Sequence, residues 1–283
     1  MTVDLHTHLV SSRAGEGARF NYCNKVVQWR RGVRSVDAFR GKFVADLAEG
    51  PADKAVVCAI ENSPLVAGNA ETLAFCRAHP GFLYGVNLNP LSPTLADDVA
   101  QAVRDGAVLV KLHPSFQCID PADDSCLPYW ELMARHRLPV LVHTGHEHAL
   151  RGGSNRLNAP ARLARAAALG VTLVCAHCGC HMMLQERNGI RAWMDLVRTY
   201  PNVWGDASAF CGCVRHYWLK RTLADPLLRS RLVFGTDYPA FPYVFKRTSR
   251  NVFREWSNFF TAYGCDDAFF SRGAGLINLE ERT

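Results

Sequence analysis

The sequence predicts a single (β/α)8 TIM barrel of the α/β class, and three observations carry that expectation. Short apolar runs alternate with helical periodicity from one end to the other. Eight such units fit in 283 residues. The polar residues that end the apolar runs recur at a steady spacing.

Strand-like runs appear at Val3–His8, Lys54–Glu61, Phe82–Asn89, Ala107–His113, Leu138–Thr144, Val171–His177, Asn202–Ser208 and Arg231–Asp237. Turn signals precede most of them: Gly50-Pro51, Pro80-Gly81, Asp105-Gly106, Gly170 and Tyr200-Pro201. Helical periodicity fills Leu95–Arg104, Tyr129–His136, Ala159–Leu169 and Ile190–Thr199, with Thr94 and Asn158 in N-cap positions. The strand-ending residues His6, Glu61, Asn89, His113, His143, His177, Asp206 and Asp237 are separated by 55, 28, 24, 30, 34, 29 and 31 positions. Only the first gap breaks the rhythm, which predicts a long excursion over roughly residues 9–35 after strand one. No linker, repeat or low-complexity tract interrupts the pattern, so residues 1–283 read as one domain.

Composition bounds the rest. With 48% apolar and 20% charged residues the chain can bury a large core and is not disordered. No stretch approaches the roughly 18 uninterrupted apolar residues of a membrane span. The start, Met1-Thr2-Val3-Asp4-Leu5-His6, lacks the basic and apolar regions of a signal peptide. Eleven cysteines in no small-scaffold spacing argue against a disulfide framework, so a reducing cytoplasm is expected. The net charge of +6 is a mild surplus, suited to a small anionic substrate rather than to nucleic acid or a membrane. Association into a homo-oligomer through the outer helices is compatible with all of this.

In such barrels the active site forms at the C-terminal ends of the strands. Those ends carry His6 and His8, Lys111 and His113, His143, His177, Asp206 and Asp237. Alternate strand residues share a face, so both imidazoles of His6-Thr7-His8 point into the barrel with Asp4. A His-x-His pair alone is commonly just two polar side chains in a strand. Joined by His143, His177 and Asp237 on one axial site, it supplies the three or four N/O ligands of a metal centre. Zinc suits such a set best, while manganese, iron or cobalt fit the same ligands.

The motifs Asp4-Leu5-His6-Thr7-His8, Val110-Lys111-Leu112-His113-Pro114 and Phe234-Gly235-Thr236-Asp237-Tyr238-Pro239 resemble those of the amidohydrolase superfamily. The resemblance is closest to its amidohydrolase-related branch, which includes aminocarboxymuconate-semialdehyde decarboxylase, and it spans essentially the whole chain. It implies His6, His8, His143 and Asp237 as ligands of one metal, with His177 bonding the activated water or the substrate. Asp237 would take the water's proton, and His177 would stabilise the developing oxyanion. Lys111 also resembles the strand-four lysine that dihydroorotase-like members carbamylate to bridge two metals. In that case His6, His8 and Asp237 would hold one ion and His143 and His177 the other. Otherwise Lys111 pairs with Asp4, Asp206, Asp237 or a substrate carboxylate. His113 is open between a substrate contact and a structural role. The relatives' Gly-Asn-Ala turn has only Arg272-Gly273-Ala274-Gly275-Leu276-Ile277-Asn278 as its equivalent, which leaves the C-terminal helix undetermined.

Three further features weigh less. Cys178-Gly179-Cys180 and Cys211-Gly212-Cys213, near His181 and His216, would make a second metal site only with strained one-residue spacing; buried small hydrophobes are the expectation. His146-Glu147-His148 would either enlarge the metal site or form a solvated loop. Basic residues gather in two loops, at Arg13, Arg19, Lys25, Arg30, Arg31 and Arg34 and at Lys246, Arg247, Arg250 and Arg254; Arg13 and Arg247 are the candidates for binding a substrate carboxylate. The expected activity is that of a metal-dependent hydrolase, cleaving a C–N or C–O bond of a small carboxylated substrate with an activated water. The alternatives are a non-oxidative decarboxylase of an aromatic or enoic acid on the same site and, in another class, an inactive barrel that binds a partner.

Overall fold

All eight expected strands form, and they pair in parallel in sequence order β1 to β8. The computed structural model describes residues 1–16, 35–147, 150, 152–181, 186, 188–208, 210, 215–239 and 249–279. The strands are β1 (Val3–Thr7), β2 (Lys54–Cys58), β3 (Phe82–Asn87), β4 (Leu109–Leu112), β5 (Val140–His143), β6 (Leu173–Ala176), β7 (Val203–Asp206) and β8 (Leu232–Val233). The α-helices are α1 (Val36–Glu49), α2 (Asn69–Ala78), α3 (Leu95–Arg104), α4 (Pro114–Gln117), α5 (Leu127–Arg135), α6 (Ala164–Ala168), α7 (Ile190–Thr199), α8 (Arg215–Ala224), α9 (Pro226–Ser230), α10 (Val252–Ala262) and α11 (Asp267–Leu276).

The seam between β8 and β1 is closed by backbone bonds. Leu5 N donates to Phe234 O at 3.1 Å, Asp237 N to His6 O at 2.7 Å and His8 N to Tyr238 O at 2.9 Å. The chain thus closes a barrel just where His6, His8 and Asp237 leave the strands.

Strand parity divides the core. Val56, Cys58, Leu109, Leu141, Val174 and Val233 form one buried cluster, joined by Ile277 and Leu279 from the C-terminal segment. Leu109 shares its face with Lys111, Leu141 with His143 and Val233 with Asp237, so this cluster is an apolar floor beneath a polar layer. The opposite faces, among them Val57, Val110, Val142, Leu173 and Val203, pack against Phe43, Trp130, Trp193, Phe253 and Trp256 of the helices.

Helices α3 and α7 have the expected bounds, because both are strongly amphipathic and flanked by turns. Helix α5 lies one to two residues earlier than expected. The helix expected over Ala159–Leu169 winds first as a 3-10 turn, Pro160–Leu163, and then as α6; another 3-10 turn, Asn155–Asn158, precedes it. Pro160 opens that turn, where its missing N–H is among those that need no partner within the helix. Nor is Asn158 an N-cap. It is buried, its Oδ1 accepts from Ser115 N at 2.9 Å and its Nδ2 donates to Ser115 Oγ at 2.9 Å, which pins the loop after β5 to the loop after β4. Thr94 occupies its N-cap position without a side-chain cap bond; its hydroxyl donates to the Asp98 carboxylate at 3.2 Å instead. Two C-terminal helices close the chain, capped by the side chains of Asn251 and Asp266. The excursion after β1 begins as a 3-10 turn over Ser12–Glu16, and residues 17–34 lie outside the described part. No described helix is long and apolar enough to cross a membrane.

Gly205 is required where β7 passes under α7: a Cβ there would stand 2.7 Å from the ring of the fully buried Trp193. Gly205→Ala is therefore expected to destabilise the fold by about 1–3 kcal/mol, the usual cost of overpacking. Urea unfolding reads this directly, and an unchanged midpoint would refute the close packing.

Candidate active site at the barrel mouth

The polar layer is organised by Asp206, the last residue of β7 and wholly buried. Its Oδ2 accepts from His6 Nδ1 at 2.8 Å. Its Oδ1 accepts from the backbone N–H of His177 at 3.1 Å and of Ser208 at 2.9 Å, and also from the Ser208 hydroxyl. Asp4 plays a similar part at the seam, accepting from His6 N at 3.0 Å and Thr236 N at 3.1 Å. Burial holds the Asp4 carboxyl up to about 7.

Three imidazoles have their tautomers fixed by partners that can only accept. His8 Nδ1 donates to the Cys58 carbonyl at 2.8 Å. His177 Nδ1 donates to the Ser208 carbonyl at 3.2 Å and to its hydroxyl, whose own proton goes to Asp206. His6 Nδ1 donates to Asp206. In each neutral ring Nε2 is then the acceptor, and that of His6 accepts from Lys111 Nζ. Burial keeps the rings neutral, pushing His6, His8, His143 and His177 well below the usual histidine range. The charges of Lys111 and neighbouring histidines add to the effect at His6 and His8, and that of Arg215 at His177.

His6 Nε2 and His8 Nε2 lie 3.1 Å apart, and Asp237 Oδ1 stands 3.4 Å from the first and 3.5 Å from the second. Lys111 Nζ donates to His6 Nε2 at 2.8 Å. Desolvation raises the Asp237 carboxyl to about 7, opposed by the charge of Lys111 and reinforced by those of Asp206 and Glu147. The Asp237 side chain is 27% exposed against 1% for His6, so it is the member that faces the mouth. His177 Nε2 is 4.0 Å from Asp237 Oδ2. Both His177 and Asp237 have left-handed backbones, with φ of 58° and 53°. Such strain, of order 1–3 kcal/mol each, gathers at functional sites.

A second group lies on β4 and β5. The rings of His113 and His143 stack 4.1 Å apart and nearly parallel, at 7°. Glu147 Oε2 is 3.0 Å from His113 Nε2 and 3.4 Å from His143 Nε2.

The expected site residues therefore gather at one mouth, in three sets whose ligand atoms lie within 4.8 Å of one another: His6, His8 and Asp237; His6, His177 and Asp206; His113, His143 and Glu147. His143, expected with the first set, stands in the third. Arg13 is exposed in the 3-10 turn after β1, while Arg247, His148, Cys211 and Cys213 lie outside the described residues. Cys178 and Cys180 are buried, with thiols pushed up by burial, that of Cys180 to about 12; they behave as small hydrophobes. His146 Nε2 accepts from Asn155 within its own loop. His216 contacts Tyr263.

Two residues escaped the sequence reading. Ser208 was unremarkable in the sequence, yet it joins His177 to Asp206. Arg215, the first residue of α8, is only 2% exposed, its Nε donates to His181 O at 3.3 Å, and its charge acts on His177 and Asp237. An arginine two positions after a strand-seven Cys-Gly-Cys is a usable signal, but attention went to the two richer basic loops.

The eight-stranded barrel thus carries a ring of histidines and carboxylates at its strand ends, and the sequence places such a barrel in a family. The chain belongs to the amidohydrolase family, whose sequence model matches residues 3–247. Among solved structures, an uncharacterised TIM-barrel protein, Bb4693 of Bordetella bronchiseptica, is similar at a TM-score of 0.74 and 15% identity, covering 100% of this chain and 99% of that one. A protein assigned as a 2-pyrone-4,6-dicarboxylic acid hydrolase from Pseudomonas putida has a TM-score of 0.67 and 18% identity, over 99% and 98% of the two chains. The 2,6-dihydroxybenzoate decarboxylase from Rhizobium has a TM-score of 0.64 and 15% identity, over 99% of each. These are likenesses of fold. No curated protein matches the chain in sequence.

Asp206→Asn would turn an amide N–H toward His6 Nδ1–H or toward the donors of Ser208 and His177. The loss expected is about 1–3 kcal/mol, the cost of unsatisfied buried donors. Denaturant unfolding of the metal-free protein measures it; wild-type stability would mean that Asp206 is not the organising acceptor.

Proposed function

We propose that the chain is a metal-dependent hydrolase that cleaves a C–N or C–O bond of a small carboxylated substrate. One observation carries the reading: two imidazoles whose tautomers leave acceptor Nε2 atoms facing each other at 3.1 Å, with a carboxylate oxygen beside both. Two acceptor nitrogens this close repel, and the Lys111 amine at His6 Nε2 satisfies only one of them, whereas a cation lying between would satisfy both. Zinc–ligand distances of about 2.0–2.1 Å put tetrahedral ligand atoms roughly 3.3–3.4 Å apart, and the three separations here, 3.1, 3.4 and 3.5 Å, fit that edge.

His6, His8 and Asp237 would hold the ion, zinc by the N/O donor set. A divalent ion there would supply Lewis acidity and a water whose pKa falls toward ~7. Asp237, beside both ring nitrogens and with its face to the mouth, is the group placed to hold a proton and pass it to a leaving group. His177 presents an acceptor at Nε2, so it receives a hydrogen bond from water or substrate; it becomes an oxyanion donor only after gaining a proton. Asp206 and the Cys58 carbonyl hold the ligand rings in place from behind. The buried guanidinium of Arg215 and the amine of Lys111 give the mouth fixed positive charge, which supports an anionic substrate.

Decarboxylation is the second reading, since the same Asp237 can deliver its proton to a substrate carbon as the carboxyl group leaves as carbon dioxide. Isotope incorporation separates the two. Solvent oxygen-18 appears in the product of a hydrolase, whereas a decarboxylase releases carbon dioxide and incorporates solvent hydrogen. In either case Asp237→Asn is expected to lower turnover by at least the 10²–10⁴-fold typical of a general acid–base group. His177→Asn should cost turnover on a similar scale while keeping the first metal equivalent. Near-wild-type turnover of Asp237→Asn would sink the mechanism.

A further inference from the structure

Arg215, the first residue of α8, is a buried cation whose counter-ion is missing from the chain. Its Nε donates to His181 O at 3.3 Å; among the described residues the guanidinium makes no other hydrogen bond, and no carboxylate stands within ion-pair reach of it. Residues 17–34, 148–149, 151, 182–185, 187, 209, 211–214 and 240–248 lie outside the described part, and they contain neither aspartate nor glutamate. The acidic residues left are Glu280 and Glu281, directly after Leu279, which packs in the apolar floor beneath the polar layer. The opposite charge therefore has to come from outside the chain.

A charge taken out of water is costly unless an opposite charge meets it. The position adds to that cost, since the first turn of a helix carries the positive end of its dipole and disfavours a cation. The side chain is nonetheless held in place. Nε is tied to His181 O in the turn after β6, and His181 is itself fixed, its Nδ1 donating to Glu186 O at 3.2 Å. Four N–H donors of the planar fork are left, in the geometry that matches the two oxygens of a carboxylate. The charge is felt at both His177 and Asp237, holding each down, so the fork stands on the side of the mouth where β6 and β8 end.

We propose that Arg215 is the specificity-determining residue of the mouth, binding a carboxylate of the substrate through its fork. The proposal rests on the reading of the mouth as a site for a small carboxylated compound, and names the residue that selects it. Arg215 starts on α8, off the strand ends that carry His6, His8 and Asp237, so the carboxylate it holds is one remote from the bond that reacts. Arg13, the candidate from the first basic loop, is exposed, where water meets its charge.

Calorimetric titration of the zinc-loaded full chain with benzoate, and with its uncharged counterpart benzamide, tests this without reference to turnover. Wild type is expected to bind benzoate at least about tenfold more tightly than benzamide, the scale of a hydrogen bond to a charged group. Arg215→Gln should lose that preference with its benzamide affinity unchanged. Arg215→Lys keeps the charge without the fork and should fall between the two; it stands in for Arg215→Gln if that variant does not fold. No preference in wild type, or an undiminished one in either variant, overturns the assignment. So does inorganic phosphate bound through Arg215 where benzoate is not. The same titration on chelator-stripped protein separates this proposal from the metal-dependent reading. A preference that survives stripping and needs Arg215 supports the carboxylate site whatever reaction follows, whereas one lost with the metal puts the carboxylate on the ion and overturns it.

Discussion

The carboxylate of Asp206 is the interaction on which the mouth depends. A wholly buried carboxylate is costly unless donors surround it, and here four donors do so from β1, from the turn after β6 and from the turn after β7. Each donor is thereby fixed in turn. The ring of His6 is locked with Nε2 to the axis, the backbone of His177 is held in its left-handed turn, and Ser208 is placed to orient the His177 ring. One buried charge at the end of β7 thus sets the chemistry of two histidines on other strands. Proximity to Asp206 also makes Asp237 harder to ionise, so the hub that orders the mouth acts on the carboxyl at the seam as well.

The seam works by a different means. Leu232 and Val233 are all that remains of β8 as a strand, because beyond them the backbone turns to bring Asp237 inward. The left-handed conformation this needs is offset by the bond from Asp237 N to His6 O and by the Asp4 carboxylate, which ties Thr236 N to His6 N. Strand one ends in His6 and His8 on the same side. The barrel is closed by the same atoms that set out the first ligand group, so stability and function are coupled at β1–β8 more tightly than elsewhere.

Much of this was legible in the sequence, for reasons that also mark the limits. The spacing of His113, His143, His177, Asp206 and Asp237 reveals the strands because each β/α unit has a near-constant length. Helices α3 and α7 were legible to the residue where amphipathicity is strong, and the helix after β5 was legible only in part, since its first four residues wind as a 3-10 turn before α6. That His6, His8 and Asp237 converge follows from parity and closure alone. Tautomers do not, since they depend on which acceptor stands behind each ring: Cys58 acts through its carbonyl, and no residue type advertises that. Glu147 and Arg215 sit on loops or just beyond them, and their burial is decided by how those loops fold back over the mouth.

The grouping of the donors follows from the geometry of a closed eight-stranded ring. Adjacent strands are about 4.8 Å apart, so side chains that leave neighbouring strand ends meet first. β1 meets β8 at the seam, which yields His6, His8 and Asp237; β4 meets β5 across the barrel, which yields His113 and His143. Lysine is different, because its four-carbon stem spans what a ring cannot. Lys111 starts on β4, beside the second group, and ends 2.8 Å from His6 in the first. It is the long side chain at the centre of the mouth that connects two sets of donors the barrel otherwise holds apart.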